Sequence, residues 1–308
     1  MSGMQTAYLV QFLNYLEKER RVSPETLRGY NDDIQYFITY LKDQKSDFTW
    51  ENVQSETIRD WVVYLASEGK KPTVIRRRIA GINSMYRFLL RSGIVSINPV
   101  KRIPLPKVPK RLPRFITVEG MEKLTSPQYF TTDFSGVRDR LILEILYGTG
   151  MRRAEVASLK DTNIHWDRKE IKVMGKGKKT RVIPVNPALF ALMKEYIKER
   201  DTLFPIGAET FLTTNKGKRV YTRFIYEVST RYLGFVTSIE NKGPHLLRHT
   251  FATHLMDNGA DIQSVKALLG HANLAATQVY MHNSAERLKK IYQQAHPKAQ
   301  RKLPETNG

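Results

Sequence analysis

Residues 245–280 read HLLRHTFATHLMDNGADIQSVKALLGHANLAATQVY, and this stretch gathers the side chains around which the rest of the chain is organised. A helical pattern fits His245 to Leu255. Leu246, Leu247, Phe251 and Leu255 give it an apolar side, and His245 and Arg248, three apart, share a face. Gly259 stops this helix, Asp261 is placed to cap another that runs through Leu269, and Gly270 breaks the chain just before His271. Thr277 to Tyr280 follow as a short helical piece. Two basic groups, an imidazole and a phenol can therefore converge, with a phosphate fitting between them.

The wider composition agrees with a phosphate ligand. Fifty Lys and Arg against thirty Asp and Glu leave a formal charge of +20 over 308 residues. An excess of this size points to a polyanion, with nucleic acid the default and a membrane surface the weaker alternative. The length suggests two domains, and a 41% hydrophobic content is ordinary for a soluble chain. No stretch is long and apolar enough to span a membrane, and MSGMQTAYLVQFL lacks the basic start and apolar core of a signal peptide. The absence of cysteine excludes a disulfide framework and a thiolate metal site. A cytoplasmic protein without a membrane partner is expected.

Upstream, the chain reads as all-helical to about Val100. Leu9, Phe12, Leu13 and Leu16 form a stripe within Ala7 to Glu19. Ser23-Pro24 starts a second helix carrying Leu27, Tyr30, Ile34, Phe37 and Leu41. Ser55 is placed to cap a third, ended by Gly69, and a fourth runs from Pro72-Thr73 to Gly93. The fourth bears Arg76, Arg77, Arg78 and Arg87, which we assign to DNA phosphates because cations clustered on a helix track the backbone; a solvated face is the plain alternative. NPVKRIPLPKVPKRLP, residues 98–113, holds five prolines between basic residues and reads as an extended, partly stiff linker. The boundaries follow: a helical DNA-binding domain over 1–104, a linker over 105–116 and a second domain over 117–308.

That second domain opens with a helix capped near Thr117, then another from Gly136 to Tyr147. Gly148 and Gly150 make a tight turn into MRRAEVASL, so Arg152 stands at a helix start with Glu155 three residues on to hold it. A cation at the positive end of the helix dipole favours an anionic partner. Strand signals follow at Asn163–Trp166, Glu170–Met174 and Thr180–Val185, the last two joined as a hairpin by a Gly-Lys-Gly-Lys-Lys turn bearing Lys176. Helices over Pro187–Arg200 and Thr222–Tyr232 lead back to the opening stretch, and an amphipathic one with Leu288, Ile291 and Tyr292 follows it. The expected fold is mainly α with a small antiparallel β-sheet (α+β).

Nucleotide and metal chemistry do not fit. A P-loop runs from strand to helix and ends Gly-Lys-Ser/Thr, whereas this turn joins two strands. His245 and His249 have zinc-ligand spacing, but position 246 is Leu rather than the glutamate of a zincin. No acidic cluster suggests magnesium. No cofactor and no metal are expected, and His249, His254 and His282 are left without a catalytic role.

Gly-Thr-Gly-Met-Arg-Arg-Ala-Glu-Val, Gly-Lys-Gly-Lys-Lys, His-Leu-Leu-Arg-His-Thr-Phe-Ala-Thr-His-Leu, Leu-Gly-His and the following Val-Tyr, in this order, resemble the tyrosine recombinase (phage integrase) family, and the Xer recombinases most. The likeness spans nearly the whole chain. It implies a four-helix, SAM-like core-binding domain and a catalytic domain that close as a C-shaped clamp on DNA. The family's pentad and nucleophile fall on Arg152, Lys176, His245, Arg248, His271 and Tyr280. Arg153 is an extra arginine beside the expected one; the register after Gly150-Met151 favours Arg152.

The implied chemistry requires these residue types. The Tyr280 phenol attacks a phosphodiester, forming a 3′-phosphotyrosine and freeing a 5′-hydroxyl. Two guanidinium forks suit the non-bridging oxygens. A phenol with an ordinary pKa of about 10 needs help in losing its proton, and His245 is the candidate base. Lys176 is the candidate donor to the leaving 5′-oxygen, and His271 bonds the phosphate and orients Tyr280. One phosphoester replaces another, so no ATP is consumed, and exchange passes through a Holliday junction. The resemblance further implies a homotetramer on two double-stranded DNA recombination sites, or a heterotetramer with a second recombinase, linked by a C-terminal protomer-exchange tail, with a DNA translocase as a candidate activator. Resolution of chromosome or plasmid multimers for segregation at cell division is the leading role. Integration of a mobile element is the alternative, disfavoured by the lack of an extra arm-binding domain. A non-catalytic architectural DNA-binding protein would leave the ordered pentad unexplained.

Overall fold

The computed structural model describes residues 3–44, 48–108, 114–175, 180–205, 209–240, 242–270 and 281–299. The chain divides into two compact units, Met1–Arg111 and Leu112–Gly308.

Unit 1 is built from α1 (Gly3–Asn14), α2 (Pro24–Asp43), α3 (Ser55–Ser67) and α4 (Pro72–Arg91). The sequence periodicity closes one core in which Phe12, Ile34, Phe37, Trp61, Ile82 and Tyr86 are wholly buried. Ser23 caps α2 as its position predicts, accepting from the Thr26 N–H at 3.3 Å. Three local expectations change. The first helix ends in a π-helical turn, Tyr15–Glu19. Ser55 does not cap α3: it is the first helical residue, Gln54 takes the cap position, and the Ser55 hydroxyl donates instead to the Pro99 carbonyl at 2.8 Å. The proline-rich segment is also not extended from its start. Asn98 donates to Asn83 on α4 at 2.8 Å, Val100 is buried, and Ile103 and Leu105 pack on the unit 1 core, because alternate apolar residues between the prolines find an apolar surface there. Positions 109–113 lie outside the described residues.

Unit 2 contains α5 (Val118–Leu124), α6 (Phe134–Thr149), α7 (Arg153–Ala157), a sheet of β1 (Ile164–His165), β2 (Glu170–Met174) and β3 (Thr180–Pro184), then α8 (Pro187–Leu203), α9 (Thr222–Val236), α10 (Pro244–Asp257), α11 (Ile262–Leu269) and α12 (Met281–Ala295). The strands run β1-β2-β3, antiparallel throughout, with Lys172 opposite Val182. From Leu141 to Thr149 every α6 side chain is buried, so this helix threads the centre of the unit. Thr117 caps α5, and the Ile116 N–H donates to Thr250 on α10 at 3.1 Å.

The far end of α12 packs on its own unit. The Tyr292 hydroxyl donates to the Gly148 carbonyl at 2.7 Å, buried His296 stacks on Tyr292, and Lys298 pairs with Glu144 at 2.5 Å. His254 has a structural role: its Nδ1 bonds the buried Tyr147 hydroxyl at 2.8 Å. Among the described residues no helix is long and apolar enough to cross a membrane, and no cluster of three or more metal-ligating side chains occurs.

Candidate active site

The site begins where α6 ends. Gly150 takes the left-handed conformation, φ 61°, and its N–H closes the helix on the Leu146 carbonyl. A side chain there would collide with Phe251 Cδ1 at 2.5 Å and Leu269 Cδ2 at 2.8 Å, so glycine is required on two counts. Met151 is buried and Arg152 follows as the N-cap of α7. A cation in that place opposes the helix dipole. Glu155 compensates: its carboxylate accepts from the Arg152 N–H at 2.7 Å and from Arg152 Nη1 at 3.0 Å.

The second piece is α10, started by Pro244 at its first position. Leu247, Phe251 and Leu255 are wholly buried and fix its rotation. Arg248 lies on the same buried side, 9% exposed, whereas His245, one turn earlier, is exposed. Arg248 Nη1 donates to the Gly150 carbonyl at 2.5 Å and Nη2 to the Leu269 carbonyl at 2.7 Å.

The third piece is the C-terminus of α11. Asp261 caps its start, accepting from Gln263 and Ser264 N–H, and Gly270 ends it at φ 68°. The last carbonyls of a helix have no partner within it and carry the negative end of its dipole. Here Leu268, Leu269 and Gly270 each receive a different arginine: Arg181 Nε at 2.8 Å, Arg248 Nη2 at 2.7 Å and Arg152 Nη2 at 3.2 Å. Residues distant in sequence, from α7, α10 and β3, are thus drawn together by one row of carbonyl oxygens.

The charges of this cluster act on one another. Burial, and then the Arg152 guanidinium, push Arg248 down to about 10, so it remains cationic at neutral pH. Partial desolvation of the otherwise exposed ring, then Arg153, Arg248 and Arg152, hold His245 below the usual imidazole value. Burial alone would raise the Glu155 carboxyl, but its bonds to Arg181 and Arg152 override this and keep it below the usual carboxylate range. Three guanidinium groups around one carboxylate leave an excess of positive charge, which suits an anion.

Arg152, His245 and Arg248 are therefore brought together. Lys176, His271 and Tyr280 lie outside the described residues; β3 begins four positions after Lys176, and α11 ends two positions before His271. On unit 1 the four arginines of α4 split between two settings. Arg76 and Arg87 line a groove of about 430 Å³ with Lys101, and Arg76 reaches the Pro106 carbonyl at 3.3 Å. Arg77 pairs with buried Asp33 at 2.5 Å, and Arg78 lies over the Tyr36 ring, 3.5 Å from its centre. The sequence reading missed Arg181. Its signal was the strand phase: on β3 it shares a face with wholly buried Ile183, which directs a charge toward the inner face.

The chain belongs to the phage integrase family: residues 115–287 match that family and residues 9–93 match its N-terminal SAM-like domain. It is a tyrosine recombinase of the XerC and XerD type, a DNA strand-transferring enzyme. It is 36% identical over 295 residues to the tyrosine recombinase XerC of Pelobacter propionicus, covering 96% of each chain. It is 35% identical over 291 residues to the tyrosine recombinase XerD of Listeria monocytogenes, covering 94% of this chain and 98% of that one. The fold is also that of the XerH site-specific recombinase in its post-cleavage complex with palindromic difH substrate, with a TM-score of 0.69, 22% identity and coverage of 92% and 84%. The Tn1549 transposon integrase in complex with transposon right end DNA has the same fold, with a TM-score of 0.70, 16% identity and coverage of 92% and 98%.

Proposed function

We propose that the chain binds a double-stranded DNA recombination site and exchanges its strands through a 3′-phosphotyrosine at Tyr280 and a Holliday junction, resolving chromosome or plasmid multimers. The observation that carries this reading is the pair of arginines, Arg152 and Arg248, anchored to adjacent carbonyls at Gly270 and Leu269. Side chains held by fixed backbone oxygens need little reorganisation when charge moves in a transition state, and this preorganisation lowers the barrier. In this reading both arginines hold the non-bridging oxygens of the scissile phosphate. His245, whose proton affinity is lowered by partial desolvation and its cationic neighbours, takes the phenolic proton. Lys176 protonates the leaving 5′-oxygen, and His271 seats the phosphate and Tyr280. Strand exchange follows when a different 5′-hydroxyl attacks the phosphotyrosine. Arg76, Arg77, Arg78 and Arg87 are assigned to flanking phosphates, those of Arg76 and Arg87 through the basic groove.

Two sites are expected to be bridged by four protomers, as a homotetramer or with a second recombinase, and a translocase is a candidate activator. Tyr292 and Lys298 pack within their own unit, and the C-terminal tail is the segment expected to be exchanged between protomers. The experiment that tests the biological role recovers and sequences the DNA bound by the chain in its host. A single chromosomal site near the replication terminus is the expected result. Scattered ends of mobile elements would instead make the chain an integrase of such elements.

A further inference from the structure

The carbonyl row at the end of α11 holds three arginines, and the family motifs account for two of them. The third, Arg181, matches none. Its side chain is 11% exposed. Nε bonds the Leu268 carbonyl at 2.8 Å, while Nη1 and Nη2 take the two Glu155 oxygens at 2.9 and 2.8 Å. This fork-to-fork pairing fixes the plane of the carboxylate as well as its position. Arg181 also lies against Gly270, where an added Cβ would stand 3.0 Å from its Nη1 and 3.1 Å from its Cδ.

Arg152 has two anchors apart from any ligand: the Glu155 carboxylate and the Gly270 carbonyl. Arg181 grips the first and packs on the second. We infer that Arg181 is a positioning residue for strand cleavage, which orients the Arg152 guanidinium through Glu155 and the Gly270 turn without itself touching DNA. The inference rests on the reading that Arg152 binds the scissile phosphate. Lysine cannot replace it. An ammonium is a point charge without a planar fork, so it cannot meet two carboxylate oxygens and a carbonyl in one fixed plane. Arg181 is the second residue of β3, so the same side chain ties the start of that strand to α7 and α11.

The test uses the full chain and a nicked duplex built on the sequence that wild-type protein selects from a random library, with the nick tiled along it until covalent complex forms. Arg181→Lys should bind this duplex within about twofold of wild type, because no DNA contact is lost. Its single-turnover rate of covalent complex formation should fall about 10- to 100-fold, the usual cost of a misdirected supporting shell. In an Arg152→Ala background the same change should cost less than about threefold, because the group it orients is gone. Glu155→Gln cuts the relay at its middle, and should reproduce the loss without adding to it. Should Arg181→Lys melt early, the same cycle is run with Arg181→Gln below its melting temperature. Full multiplication of the Arg181 and Arg152 effects, or wild-type cleavage by Arg181→Lys, overturns the inference. Wild-type cleavage by Arg152→Ala would instead overturn the assignment of the phosphate-binding arginines.

Discussion

Gly150→Ala probes the turn on which both Arg152 and Arg248 depend. The left-handed conformation costs a residue with a Cβ about 1–2 kcal/mol. The new methyl would stand 2.5 Å from Phe251 Cδ1 and 2.8 Å from Leu269 Cδ2, both in the buried core. Forcing a carbon into such a core costs about 1–3 kcal/mol. The two costs sum to about 2–5 kcal/mol, which at roughly 2–4 °C per kcal/mol lowers the melting temperature of unit 2 by roughly 4–20 °C. The displaced Leu269 carries the carbonyl that holds Arg248, and Gly150 supplies the other. Cleavage measured well below the melt should therefore fall by more than DNA binding does. Calorimetry and single-turnover cleavage check the two parts. Gly234→Ala is the control: nothing lies within 4 Å of its Cβ position inside α9, so stability should hold or rise by about 0.5–1 kcal/mol. A Gly150→Ala protein melting within about 2 °C of wild type would refute the packing argument.

Arg153 is the strongest of the charges that hold His245 low, so Arg153→Gln should raise that imidazole. A base acts deprotonated, so the acidic limb of the cleavage profile should move to higher pH; an unmoved limb, or movement the other way, would contradict the role. Burial pushes His296 down to about 3. The unfolded chain then binds more protons below pH 6.5, and unit 2 should lose about 1.4 kcal/mol per pH unit from there down to the folded value, or about 2 kcal/mol at pH 5. Urea titrations of wild type and His296→Gln read this out, and equal pH slopes would dismiss the histidine as the cause. With a formal charge of +20, site affinity should fall linearly against salt on logarithmic axes by counterion release, and a flat titration would remove the electrostatic basis of binding.

What the sequence made legible was largely local. Ser23, Thr117 and Asp261 cap the helices they precede, and Gly150 and Gly270 end theirs in the left-handed conformation, because each of these interactions is complete within a few residues. The antiparallel strands β2 and β3 were legible for the same reason: alternation is a short-range signal. What stayed hidden was settled at long range. Ser55 turned from its cap role to a carbonyl 44 positions away, and the start of the proline-rich segment found an apolar surface on α4. Spacing singled out Arg152, His245 and Arg248 as candidates, but not the row of carbonyls that draws the arginines together. Nor did it reveal Arg181, whose three bonds run to Leu268 and Glu155 on two helices distant in sequence. On α4, one run of arginines serves a groove and a buried carboxylate alike, because the Asp33 that divides them belongs to another helix.

The central claim is that one phenol carries the cut strand. Covalent protein–DNA complex trapped on a nicked duplex, digested with nuclease and protease and mapped by mass spectrometry, tests it directly. The account predicts a 3′-phosphonucleotide on the peptide containing Tyr280, and loss of the adduct with binding retained in Tyr280→Phe. An adduct on any other residue, or one that persists in that variant, would contradict it.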